Sequence, residues 1–147
     1  MAVQVNVRMI RKNDLDGVVA IDKLITGQER REYYQHKLGQ ALDNDVNASV
    51  VAEVDGKLVG FMMGDVFFGE YGIPDASATI DTLGVHPDFQ KHGVASELMD
   101  QFLMNMKAAN VKKIYTLVNW NDFALESFFS RHKFQPSKRI SLELQLP

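Results

Sequence analysis

Apolar and polar residues alternate at the start of the chain. Val3, Val5, Val7 and Met9 share one side and predict an opening strand. The period then lengthens. Leu15, Val18, Val19, Ile21 and Leu24 recur at helical spacing behind Asn13 and Asp14, either of which can cap a helix, and Thr26-Gly27 breaks it. A second helix is predicted from Gln28 to Leu42, with Tyr34, Leu38 and Leu42 stacked four apart. Val50 to Val54 reads as a strand, Asp55-Gly56 as a type I′ hairpin turn and Lys57 to Phe68 as the return strand. Gly69 to Asp75, with two glycines and Pro74, is a loop. Strand signals resume from Ala76 to Val85 and stop at His86-Pro87-Asp88.

The second half of the chain turns helical again. Val94 to Met106 is amphipathic, with Val94, Leu98, Phe102 and Met106 in one row and Ala95, Met99 and Leu103 in the next. Lys113 to Val118 is a strand. Asn121 or Asp122 caps a helix carrying Ala124, Leu125, Phe128 and Phe129 on one side. Ile140, Leu142, Leu144 and Leu146 then alternate as a closing strand. The order β-α-α-β-β-β-α-β-α-β predicts an α/β domain. Its sheet is mixed and mostly antiparallel, with helices on both faces.

Composition narrows the function classes. The 147 residues are 46% apolar and 24% charged, with no internal repeat or linker, which fits a single domain over residues 1–147. Sixteen Lys and Arg against nineteen Asp and Glu leave a net charge of −3, which argues against a nucleic-acid partner. With no cysteine, thiolate metal sites, disulfides and a cysteine nucleophile are excluded. The four histidines share no metal-ligand spacing, so no metal is expected. No apolar run approaches the roughly 20 residues of a membrane span, and no signal-peptide layout opens the chain. A cytoplasmic location and no membrane partner are expected.

Two features meet between residues 81 and 96. Ala76, Ala78 and Ile80 lie on one side of their strand, but Leu83 and Val85 fall in the opposite register. A half-buried strand exchanges its apolar side only through an inserted residue, so a β-bulge is predicted near Thr82 to Gly84. A bulge leaves backbone groups free to pair with an extended amide-bearing ligand. The second feature is the turn Gln90-Lys91-His92-Gly93-Val94-Ala95 leading into the long helix. Gly93 permits close backbone approach, and the first amides of a helix bind phosphate or pyrophosphate, with Lys91 and His92 adding charge. Such a turn arises by chance in about one chain in seven. Its place at a strand-to-helix junction behind a bulge is what carries the functional reading. It lacks the features of a Walker loop and the three glycines of a dinucleotide fingerprint.

The stretch Val85-His-Pro-Asp-Phe-Gln-Lys-His-Gly-Val-Ala95 resembles the acetyl-CoA-binding motif of the GNAT superfamily of N-acetyltransferases, Gln/Arg-x-x-Gly-x-Gly/Ala. Asn119 to Phe134 is similar to the superfamily's next motif, and the element order matches along the whole chain. The resemblance implies acetyl-CoA in a gap between the strands at 76–85 and 113–118. Pantetheine would pair with backbone at Leu83, Gly84 and Val85. The diphosphate would meet Gln90, Lys91, His92, Gly93, Val94, Ala95 and Ser96, with Asn121 and Phe129 also lining the cofactor. The implied activity is acetyl transfer to an amine by direct transfer in a ternary complex, on a small molecule or on a protein N-terminus. The bacterial ribosomal-protein alanine acetyltransferases are one comparison.

Three positions depart from the family pattern. Phe129 stands where a tyrosine often protonates the departing thiolate, Lys133 where Gly precedes Phe, and Leu117 where the alanine acetyltransferases carry a glutamate base. Among the remaining residues, the Val85 N–H is a candidate for the oxyanion and Asp81 for a base acting through water. Tyr115 is a weak candidate acid, with core packing as its other reading. Deprotonating a lysine-like amine at pH 7 costs roughly 4.6 kcal/mol, an α-amine only about 1–1.4 kcal/mol. Without a matched strong base, a low-pKa amine is the expected acceptor. The rival reading is an acyl-CoA-binding or regulatory module that kept the cleft and lost its catalytic acid. The protein is expected as a monomer or homodimer, the latter paired through Ile140 to Leu146.

Overall fold

The structure is a computed structural model and describes residues 3–147. It divides into two compact units, one running to Leu117 and the other from Val118 to Pro147.

In the first unit five strands form one sheet in the order β1-β2-β3-β4-β5: β1 Asn6–Met9, β2 Val50–Val54, β3 Lys57–Phe68, β4 Ala76–Val85 and β5 Lys113–Thr116. Every neighbouring pair is antiparallel except β4 and β5, which run parallel across the helix α3, Val94–Ala108. This is the mixed, mostly antiparallel sheet expected from the periodicities. Asp55 and Gly56 both take positive φ, 52° and 77°, as the type I′ turn between β2 and β3 requires.

The two sides of β3 separate two layers of core. Phe61 and Met63 pack with Val18, Val19 and Ile21 of α1 (Leu15–Thr26) and with Tyr34, Leu38 and Ala41 of α2 (Arg31–Asp43). On the other side, a Cβ added to Gly60 would lie 3.0 Å from Val94 and 3.2 Å from Leu98, so the missing side chain sets how closely α3 approaches. Helices therefore cover both sides of the sheet.

At two helix starts the structure departs from the periodicity, in a missing cap bond and in a later first residue, both because of arginine–aspartate pairs. Asp14 sits at the α1 N-cap position but makes no cap bond there. Its carboxylate instead takes both Arg8 guanidinium nitrogens at 2.8 Å and the Arg11 N–H at 2.7 Å. The second helix starts at Arg31 rather than Gln28, because Arg30 leaves helical geometry (φ −114°, ψ 47°) and clamps Asp22 at 2.8 and 2.6 Å. The opening strand is shorter than predicted, since only residues 6–9 pair with β2.

In the second unit α4 covers Phe123–Arg131 and is capped by Asp122, whose Oδ1 accepts the Leu125 N–H at 3.1 Å. The alternating segment Ile140–Leu146 belongs to no sheet of this chain. Among the described residues, no helix is long and apolar enough to cross a membrane.

Candidate functional site

The register between β3 and β4 slips once. Met63 pairs with Thr82 and Gly64 with Ile80, so Asp81 is the inserted residue. The bulge predicted at 82–84 is thus present, one residue earlier. It returns Leu83 and Val85 to the side of the sheet occupied by Ala78 and Ile80, which restores the apolar side facing α3. Gly64 makes the slip possible, because a Cβ there would collide with the Thr79 carbonyl.

The bulge also decides where the backbone of β4 points. The His86 N–H donates to Val59 O at 2.7 Å, and antiparallel pairs alternate between bonded and non-bonded. Leu83 and Val85, opposite Met62 and Gly60, therefore turn their N–H and C=O groups away from β3. On that outer side β5 pairs only with Ser77 to Ile80 and stops at Thr116, whose hydroxyl closes the ladder on Ile80 O at 2.9 Å. Leu83 and Val85 thus present their backbone to a gap in the sheet. The Gln90 side-chain amide donates to the Val85 carbonyl at 3.2 Å, which leaves the Leu83 groups and the Val85 N–H facing the opening. Gly84 has a different part in this. A Cβ on it would come within 2.7 Å of the Phe61 ring on the opposite side, so its role is packing.

Beyond β4 the chain makes a 3-10 turn, Pro87–Phe89, fixed by His86 Nδ1 accepting the Asp88 N–H at 3.1 Å. Lys91 and Gly93 then both take left-handed backbone, φ 67° and 81°. Alternating handedness turns successive N–H groups inward and makes an anion-holding concavity. Gly93 is the N-cap of α3 and offers no side chain to its first amides. Val94, 1% exposed, anchors the turn in the core, while Lys91 and His92 stand in solvent. The turn and the opened strand edge are contiguous in the chain. Together they suit a long ligand with amides at one end and a diphosphate at the other.

On the side of the sheet facing α2, Asp81 is held in a cluster that the sequence did not announce. Lys37 Nζ lies 2.6 Å from Asp81 and 3.5 Å from Asp65, and Thr79 donates its hydroxyl to Asp81 at 3.0 Å. Burial works to raise the Asp81 carboxyl, but the bonds from Lys37, Asp65 and Thr79 outweigh it and hold it below its ordinary value. Asp65 moves the other way, pushed up by burial and by its neighbouring carboxylate. Lys37 and Asp65 lie 44 and 16 residues from Asp81 and carry no local motif, so only the packing of α2 on the sheet brings them together. Tyr115 sits opposite Thr79 in the β4–β5 register, on this same side and half-buried.

In the second unit, Phe129 packs its ring on Phe128 and Phe134 at 5.4 and 5.1 Å between centroids, and Asn121 is exposed beside the Asp122 cap. Lys133, where the resemblance expects glycine, takes φ 74°. The left-handed conformation persists although the residue that favours it is absent. Among the described residues, no group of three His, Cys, Asp or Glu side chains is placed to hold a metal.

Known proteins share this fold. An acetyltransferase of Pectobacterium atrosepticum is 24% identical over 140 residues, 95% of this chain and 94% of its own. The fold superimposes on the aminoglycoside N-acetyltransferase AAC(6')-Iy in complex with CoA, with a TM-score of 0.82 at 15% identity over 99% of this chain and 97% of that one. It also superimposes on a ribosomal-protein-alanine N-acetyltransferase from Brucella melitensis, with a TM-score of 0.76 at 17% identity over 97% of this chain and 100% of that one. At these identities the structural likeness is one of fold. The model of the acetyltransferase (GNAT) family matches residues 18–134, and the chain belongs to that family.

Proposed function

We propose that this chain, with residues 1–147 acting as one domain, is an N-acetyltransferase that moves the acetyl group of acetyl-CoA to an amine in a single ternary complex. The observation that carries this reading is the parting of β4 from β5 after Ile80, which leaves the outward-turned Leu83 and Val85 backbone without a neighbouring strand, beside the uncapped start of α3. Pantetheine amides match the N–H and C=O of Leu83. The diphosphate matches the amides of the turn from Gln90 to Ala95, with Ser96 completing the first turn.

The same geometry supports a reading of the roles in the transfer. The amine nitrogen attacks the thioester carbonyl carbon, a C–N bond forms, and the C–S bond breaks to release the thiolate. The Val85 N–H stabilises the oxygen on which charge develops. Asp81, kept ionised by Lys37, takes the amine's proton through a water. Tyr115, on the strand facing the opening, is the candidate to protonate the thiolate. Held below its ordinary pKa, Asp81 is a weak base, which favours acceptors whose amine is already partly neutral at pH 7. Peptide α-amines and small amines of lowered pKa meet that condition. The related folds bracket both classes, since one is named for aminoglycosides and another for a ribosomal-protein alanine.

Phe129 supports a second reading, an acyl-CoA-binding module without turnover, because its ring offers no proton where the family often has a tyrosine. Thiol release from acetyl-CoA across a panel of amines separates the two. Amine-dependent release supports the transferase, whereas CoA binding with no release on any amine supports the module.

A further inference from the structure

The cluster at the bulge holds one more carboxylate than it has cations. Lys37 faces Asp81 and Asp65 together, so one ammonium against two carboxylates leaves a resting charge of −1 in a partly buried place. The two carboxylates are not served alike. Asp81 receives Lys37 Nζ on Oδ2 at 2.6 Å and the Thr79 hydroxyl on Oδ1 at 3.0 Å, so donors engage both of its oxygens. Asp65 meets the same ammonium only at 3.5 Å, beyond the range of a strong hydrogen bond. The register brings the pair together. Asp65 lies opposite Thr79 across β3 and β4, the inserted Asp81 follows two residues on, and the two carboxyls are within hydrogen-bond reach of each other. Among the described residues, Lys37 from α2 and Asp81 from β4 are the charged groups facing Asp65. Tyr33 stands one turn from Lys37 on α2, and Tyr115 lies opposite Thr79 on β5. Carboxylates this close resist being charged together, and a proton added to the pair settles on the member with fewer donors.

We propose that Asp65 is the group on which the transferred proton comes to rest, with Asp81 as the relay between the acceptor amine and Asp65. This rests on the reading of Asp81 as a base acting through water. The nitrogen electron pair forms the C–N bond, and the C–S pair leaves with the thiolate. The N–H proton crosses the water to Asp81, and Asp81 passes a proton over the shared hydrogen bond to Asp65. Lys37 stays charged throughout, so the cluster goes from −1 to neutral. Asp65, whose side chain is 34% exposed against 25% for Asp81, then returns the proton to solvent. Asp81, bonded on both oxygens, holds a proton poorly, whereas burial and the neighbouring carboxylate push Asp65 up. Asp65 acts through Asp81 and not on the acceptor itself, so its part is that of a positioning residue.

Carbon-13 NMR of the side-chain carboxyls reads the order of protonation in the unaltered full chain, with no turnover and no variant needed. Asp65 should take its proton at a higher pH than Asp81, and the reverse order overturns the proposal. Kinetics then read the role. Asp65→Asn should lower kcat about tenfold or more, with KM for the amine and CoA affinity held within about twofold. Asp65→Glu, which keeps a carboxyl, should recover most of the rate. Once kcat is divided by the neutral fraction of the acceptor, its acid limb should move to lower pH in Asp65→Asn, a shift that a purely structural Asp65 would not produce. An Asp65→Asn enzyme with unchanged kcat, or with lowered kcat and an unmoved limb, overturns the proposal while Asp81→Asn still slows turnover. If Asp81→Asn has no effect either, the reading of Asp81 as the base falls and takes this one with it.

Discussion

Three of the ion-paired clusters in the first unit hold partly buried carboxylates, which do not behave alike. Asp14 is pushed up by its own burial, but Arg8 and the Arg11 N–H outweigh this and hold it below its ordinary value. Asp22 is held low chiefly by Arg30, and the Tyr34 hydroxyl donates to it at 2.9 Å. A carboxyl with a depressed folded pKa contributes stability that is complete above its unfolded pKa of about 3.9 and is lost as pH falls through the folded value. Denaturant midpoints should therefore hold from pH 7 to pH 4.5 and drop below pH 4, and Asp22→Asn should flatten that drop. Arg8→Met, which strands the 6%-exposed Asp14 carboxylate beside Glu53, should cost about 3 kcal/mol by urea denaturation. The cluster at the bulge splits in sign. Asp65 is raised in the fold, so its charge is a burden at neutral pH and is relieved as pH falls. Asp65→Asn should leave stability at pH 7 unchanged or higher. Asp81→Asn should lower kcat at least tenfold, leave CoA affinity within twofold, and restore little on Asp65→Asn. An unchanged kcat would assign the Lys37–Asp81 pair to structure alone.

At the scale of elements, two left-handed residues frame the helices that follow and precede them. Gly93 supplies φ 81° at the α3 start without a Cβ. Gly93→Ala should cost about 1 kcal/mol and weaken CoA binding roughly tenfold, because the turn's amides lose their shared direction. Lys133 adopts the same region at φ 74° with a side chain to accommodate, so Lys133→Gly should stabilise by about 1 kcal/mol in thermal denaturation. Much of this scale was legible in the residues. Asp55-Gly56 named its turn, and the change of register between Ile80 and Leu83 announced a bulge. Its place at Asp81 was not readable, because the parity fault is the same wherever the extra residue falls between those two. What decides it is Gly64, 17 residues away, whose bare Cα makes room for the Thr79 carbonyl. The α2 start was misplaced for a similar reason, since a helical pattern says nothing of Arg30 turning aside to clamp a buried Asp22. Lys37 and Asp65 gave no signal because each is an ordinary charged residue until α2 packs on the sheet.

For the whole molecule, the acetyltransferase (GNAT) family, the parted sheet and the uncapped α3 start converge on one description. With Asp81 as the proposed base, a weak, lysine-paired carboxylate makes the rate follow the neutral fraction of the acceptor. Turnover on α-amines should exceed that on ε-amines at pH 7, and the gap should narrow toward pH 9. Faster ε-amine turnover at pH 7 would remove Asp81's part in selecting the acceptor. In the proposed complex an opened strand edge and a helix start grip one ligand together. Amide hydrogen exchange with and without CoA reads both at once. Leu83, Val85 and the amides from Lys91 to Ala95 should all slow at saturating CoA while β1 and β2 stay unchanged. If CoA binds and the Leu83 and Val85 amides exchange as fast as before, the ligand is held elsewhere and the account is wrong.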